Sequence, residues 1–171
     1  MMLKTLFASS LVALAATLST VSAGIPGQTG ALISANEYCL FLPRKFGGNI
    51  AESEDDAIAF CNKRIPTAPQ AKILPTGFVK SLHLVRNTQK GYVQITGRID
   101  RRKYGLSRSD RGGQYDIKAP PGASYAGYRY FVQFVEPDEN IYCLRVCKWK
   151  ADCPVHKSTY GCRKVLGGDY S

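Results

Sequence analysis

The sequence is poor in the residues that carry most enzymatic and metal chemistry. It has two histidines (His83 and His156), one tryptophan and two methionines among 171 residues. No Gly-x-Ser-x-Gly elbow, His-Glu-x-x-His pair, Walker loop or dinucleotide fingerprint occurs. That removes the sequence signatures of serine hydrolases, zincins, P-loop enzymes and nicotinamide enzymes. No Asn-x-Ser/Thr sequon is present, so N-glycosylation is not expected. Carboxylates are few beside cations, 13 against 23, for a net charge of +10. Beyond the first residues no apolar run approaches the roughly 20 residues of a membrane span. Internal repeats and low-complexity segments are missing too.

What the chain does have begins with residues 1–23. Lys4, the apolar stretch from Leu6 to Leu18 and Val21-Ser22-Ala23 read as a secretory signal peptide with a small-residue cleavage site. In an exported chain six cysteines imply three disulfides, with no metal centre and no cofactor. A zinc set could be drawn from Cys147, Cys153, His156 and Cys162, but export favours disulfides. Four of the six cysteines (Cys143, Cys147, Cys153, Cys162) crowd the C-terminal stretch, and Cys39 and Cys61 flank an early segment. On a strand, Cys143 and Cys147 would sit on one face roughly 13 Å apart. Disulfide Cα atoms lie within about 7 Å, so these two do not pair with each other. The remaining connectivities stay open.

Residues 24–36 hold Gly24, Pro26, Gly27 and Gly30 with no charge until Glu37 and read as an N-terminal arm with little structure, leaving 37–171 as a single disulfide-bonded, β-rich domain. Tyr38–Leu42 reads as a strand. Ser53–Arg64 reads as a helix, with Ser53 as N-cap, acids in its first turn, Lys63 and Arg64 in its last, and Pro66 beyond. Phe78–Arg86 and Tyr92–Ile99 read as a hairpin, and Tyr128–Glu136 and Ile141–Lys148 as a second antiparallel pair. The expected class is α+β and β-rich: a small, disulfide-stabilised antiparallel sheet with one short helix.

Residues 100–127 read as one long loop, and loops of that length are functional or mobile. Arg101, Arg102, Lys103, Arg108 and Arg111 make it the densest basic patch, with Tyr104 and Tyr115 interleaved as stacking surfaces. The expected partners are a host protein or an anionic surface or polysaccharide, with nucleic acid less favoured. A small nuclease would need a carboxylate, a histidine and an arginine on one phosphate. Glu37 or Glu136 with His83 and Arg98 supply those types, but no spacing demands it, and no catalytic residue is assigned.

Cys39-Leu-Phe-Leu-Pro43, Leu74-Pro-Thr-Gly-Phe-Val79, His83-Leu-Val85, Tyr92-Val-Gln-Ile-Thr-Gly97, Gly112-Gly-Gln-Tyr-Asp116, Cys143-Leu-Arg-Val-Cys147 and Tyr160-Gly-Cys162 together resemble a family of secreted fungal proteins named after a macrophage-activating glycoprotein. The resemblance runs from about Tyr38 to Cys162. Larger members continue into a Ser/Thr-rich, O-glycosylated tail, whereas this sequence stops at Ser171, so it resembles a short, tail-less member. The resemblance implies fungal origin, export and a role at the boundary between fungus and host or environment. It supplies no catalytic residues. The expected function is that of a secreted, effector-like fungal protein associated with virulence or symbiosis, extracellular with entry into host cells left open, and acting by binding. The alternative is a cell-wall or extracellular polysaccharide-binding protein with Tyr128 and Tyr130 stacking on sugars, and a small secreted hydrolase or nuclease comes third.

Overall fold

The computed structural model describes residues 27–171; the expected signal peptide lies outside the described residues. Among the described residues eleven strands form two main sheets and a small two-stranded one. The strands are β1 (Thr29–Gly30), β2 (Leu32–Ser34), β3 (Glu37–Leu42), β4 (Ile58–Cys61), β5 (Lys72–Ile73), β6 (His83–Asn87), β7 (Tyr92–Arg98), β8 (Gly113–Asp116), β9 (Ser124–Tyr125), β10 (Tyr130–Glu136) and β11 (Ile141–Cys147). Among the described residues one α-helix, α1 (Gly161–Val165), follows near the C-terminus. The β-rich, disulfide-bonded α+β class is therefore as expected, with the helix in a different place.

The central layer is the five-stranded sheet, ordered β6-β7-β11-β10-β8 and antiparallel throughout. Strand side chains alternate between faces, and both faces here are apolar. One face (Phe131, Val135, Tyr142, Leu144, Val146, Ile95) packs on the sheet β2-β3-β4-β5 through Leu40, Phe41, Ile58 and Phe60. The other face (Val132, Phe134, Cys143, Cys147) lies under the C-terminal segment, which brings Cys153, Cys162, Leu166 and Tyr170. A buried glutamine marks the first interface. Gln133 Nε2 donates to the Phe41 carbonyl at 2.7 Å, and its Oε1 accepts from the Phe41 N–H at 2.8 Å and the Tyr125 hydroxyl at 3.2 Å. Every polar atom of the amide is thereby matched to backbone or hydroxyl, as a buried amide requires.

The helix expected at Ser53–Arg64 does not form. Ala51–Ser53 is a single 3-10 turn, and Ile58–Cys61 is a strand. Ala57 to Cys61 are all buried, and a surface helix cannot bury five consecutive residues. A central strand can, and Cys61 then stands opposite Cys39, to which it is bonded. Ser53 caps nothing; its hydroxyl donates to the Asn49 carbonyl at 2.7 Å, while Glu54, Asp55 and Asp56 point to solvent. Packing has overridden local propensity.

The segment expected as an unstructured arm carries β1 and β2 from Thr29 onward, with Ala31 and Leu32 in the interior. The strand expected from Phe78 starts only at His83. Residues 80–81 turn over β7 instead, where the Ser81 carbonyl lies so near Gly97 that a Cβ there would meet it at 2.0 Å. The disulfides are Cys39–Cys61, Cys143–Cys162 and Cys147–Cys153, so Cys143 and Cys147 indeed take different partners.

Candidate functional site

The expected loop 100–127 is only partly a loop. Arg101–Tyr104 winds into a 3-10 turn, and β8 and β9 follow. Asp100 caps the turn by accepting from the Arg102 N–H at 3.2 Å, and Gly105 (φ +65°) closes it in the left-handed conformation that glycine allows.

Both ends of the basic segment are fastened to the β10–β11 turn. At one end the Ile99 N–H donates to the Asn140 carbonyl, and Arg101 Nη1 donates to Asn140 Oδ1 at 3.2 Å. At the other the Asp138 N–H donates to the Asp110 carbonyl, and Asp110 Oδ1 and Oδ2 accept from the N–H groups of Gly112 and Ile50. The loop is thus a fixed rim around that turn. Asp110 and Asp116, which appear in the sequence as counter-charges, are buried and spend their oxygens on backbone and Gln114.

Among the expected site residues, the cations and the tyrosines part company. Arg102, Lys103, Arg108 and Arg111 are exposed and Arg101 is half-buried. Tyr104 and Tyr115 are core residues, which corrects their reading as stacking surfaces. The Tyr104 hydroxyl donates to the Pro43 carbonyl at 2.8 Å, and its ring packs against Phe46, Phe60 and Phe78. The Tyr115 hydroxyl donates to the Ile50 carbonyl at 2.9 Å, and burial pushes its pKa well above the usual phenol range. Strand alternation explains the burial: Tyr115 sits opposite Gln133 on the face that meets the second sheet. Tyr128 and Tyr130 are likewise half-buried against core clusters rather than free faces.

Among the described residues, Arg102 is the rim cation with a carboxylate partner: Nε and Nη2 each donate to Asp100 at 2.9 Å. This forked pair holds the Asp100 carboxyl down at about 2, so Arg102 is neutralised at any ordinary pH. Arg101, Lys103, Arg108 and Arg111 have no ion pair there and supply the free positive charge.

Beside the turn lies an open cleft of about 590 Å³ lined by Lys80, Ser81, Arg98, Asp100, Arg101, Arg102 and Asn140 among others. Lys80 and Arg98 join the basic rim here; the sequence reading named Arg98 only for the nuclease set and did not name Lys80. The Lys80 N–H donates to the Arg98 carbonyl at 2.8 Å, and the Arg98 N–H to Ser81 Oγ at 3.0 Å. Arg98 is adjacent in sequence to the basic run, whereas Lys80 is brought there by the fold of the chain over Gly97.

The nuclease set does not assemble. Glu37 pairs with Lys63 in the other sheet at 3.0 Å. Glu136 accepts from the Cys162 N–H at 2.9 Å, and burial raises its pKa. His83 Nδ1 lies 3.5 Å from Asp169 Oδ2, under the C-terminal segment. The thiols that a zinc set at Cys147, Cys153 and Cys162 would need are all in disulfides. No helix among the described residues is long and apolar enough to cross a membrane.

No family model matches the chain, and no solved structure matches it. Among curated proteins it is similar to the appressorium protein ROW1 of Mycosarcoma maydis, 26% identical over 164 aligned residues that cover 84% of this chain and 37% of that protein. The chain therefore spans little more than a third of that relative's length.

Proposed function

We propose that this is an extracellular fungal protein of effector type, acting without catalysis by binding an anionic host component through the basic rim. The observation that carries the reading is the rim's construction. Arg101, Lys103, Arg108 and Arg111 are presented on a segment tied at both ends to the β10–β11 turn, with Lys80 and Arg98 beside Arg101. A fixed cationic surface attracts anions without the ordering cost of a mobile loop. Three disulfides fit an oxidising compartment and an exported chain. The likeness to an appressorium protein of a fungus favours infection over a housekeeping role. The resemblance to the macrophage-activating-glycoprotein family points to the same boundary between fungus and host.

The test is binding of labelled protein to cells of the fungus's host at rising salt. Reversal of Arg101, Lys103 and Arg108 to Glu is expected to reduce binding at least tenfold at low salt and to flatten its salt dependence, because fewer counter-charges are engaged. Undiminished binding by the reversed variant would remove the rim from the account.

A further inference from the structure

We propose a second binding site at the opposite end of the central sheet, where Trp149 forms a platform for a uronate-containing polysaccharide. β7 runs from Arg98, beside the basic rim, to Tyr92, beside this platform, so about 20 Å of strand separates the two surfaces. The platform lies outside the basic loop and is independent of the function proposed for it.

Trp149 is the molecule's one tryptophan and is 59% exposed. A large apolar ring left in water without a structural task points to a contact surface. The ring is also held in place. It sits in the short loop closed by the Cys147–Cys153 disulfide. The Lys148 N–H donates to the Gly91 carbonyl at 2.9 Å, and a Cβ on Gly91 would stand 3.3 Å from the indole Nε1. The Gly91 turn, with φ +65°, thus gives the edge of the indole its seat.

Two shallow grooves share Lys148; the ring lines the first, and the second begins at Gly91, the residue on which the indole edge rests. One, of about 280 Å³, is lined by Gly127, Arg129, Lys148 and Trp149. The other, of about 140 Å³, adds Arg86, Asn87, Thr88 and Tyr92 among its walls. Neither lining contains a carboxylate, and neither Arg86, Arg129 nor Lys148 has an ion pair among the described residues. Arg86 is steadied by donating to the Ile33 carbonyl.

The chemistry gathered here is one exposed ring, Arg129 and Lys148 in the same groove as the ring, and Arg86 with amide and hydroxyl groups in the adjoining one. A pyranose ring stacks its C–H face on an indole, its carboxylate pairs with Arg or Lys, and its hydroxyls meet Asn and Thr. Nucleic acid fits less well, because single strands are held by successive stacked aromatics. Here Tyr92 is covered by the Arg145 guanidinium at 4.3 Å, and Tyr128 packs on the core, so one free ring remains.

Because Trp149 is the sole tryptophan, its fluorescence reports this site alone. Titration with oligogalacturonate is expected to give a saturable shift in emission. The Arg129→Gln/Lys148→Gln double variant keeps the fluorophore and should weaken the apparent Kd at least tenfold. In gels containing polygalacturonate, with Arg101, Lys103 and Arg108 reversed to Glu in both proteins so that the rim does not hold the polymer, the chain with Trp149 should be retarded and its Trp149→Ala derivative should not; full methyl esterification of the polymer should abolish retardation. Emission unchanged by oligogalacturonate would overturn the proposal. So would equal retardation of Trp149→Ala, an equal response to the esterified polymer, or a saturable shift produced by single-stranded DNA and not by oligogalacturonate.

Discussion

Asp100 shows how one side chain sets the usable charge of the rim. Its two oxygens take both the backbone N–H and the guanidinium of Arg102, so one of the five cations expected on the loop is spent on its neighbour. Its carboxyl, held at about 2, is expected to titrate near that value by NMR, and Arg102→Gln should return it toward the ordinary Asp value near 4. A carboxyl that titrates normally in the wild type would mean that the fork is not maintained in solution. Because the pKa is depressed, the pair persists above about 2 and dissolves only as pH falls through it. Tyr115 is the opposite case, a residue that reads as a contact surface and turns out to hold the core. Its hydroxyl is the partner of the buried Ile50 carbonyl, whose N–H is bonded to Asp110. Tyr115→Phe is expected to cost about 1–2 kcal/mol in denaturant unfolding, the penalty of stranding a buried acceptor, while leaving surface binding intact.

At the scale of elements, the C-terminal segment is a third layer fastened by disulfides over a sheet that would otherwise expose Val132 and Phe134. Cys143–Cys162 ties α1 to β11, and Arg145 donates to the carbonyls of Asp152 and Leu166 from the sheet face. Replacing Cys143 and Cys162 together by Ala should lower stability by about 3 kcal/mol, as expected for opening a loop of this length, with the largest gain of amide exchange in residues 161–170. Equal exchange across that segment would show that packing alone holds it. This layer also shows what the sequence could reveal. Strands β3, β7, β10 and β11 were legible because Tyr38–Leu42, Tyr92–Ile99, Tyr128–Glu136 and Ile141–Lys148 are bounded by turn signals and rich in β-formers. The separation of Cys143 from Cys147 followed from strand rise alone. Ile58–Cys61 was not legible, because caps and acids at 53–56 mimic a helix start while the deciding facts are long-range: a partner strand on each side and Cys39 opposite Cys61. For the site, the rim cations were visible as a cluster. Lys80 was not, since it arrives through a chain crossing that only Gly97 permits. Trp149 gave one signal, a lone tryptophan among lysines, but its exposure depends on the fold.

The described residues form a sheet covered on both faces and bonded by three disulfides, and most of their cations have no ion pair. Such a body suits adhesion to anionic material in an oxidising space, and its function would then depend on where the charge takes it. The salt dependence of host-cell binding and the fluorescence of Trp149 address the two surfaces separately, so either can fail while the other stands. The most direct test of the central claim is the location of tagged protein while the fungus grows on its host, wild type beside the variant with Arg101, Lys103 and Arg108 reversed to Glu. The account predicts wild-type signal on or in host cells at the contact zone, and loss of that signal for the reversed variant at equal secreted levels. Signal confined to the fungal wall and unchanged by the reversal would contradict it.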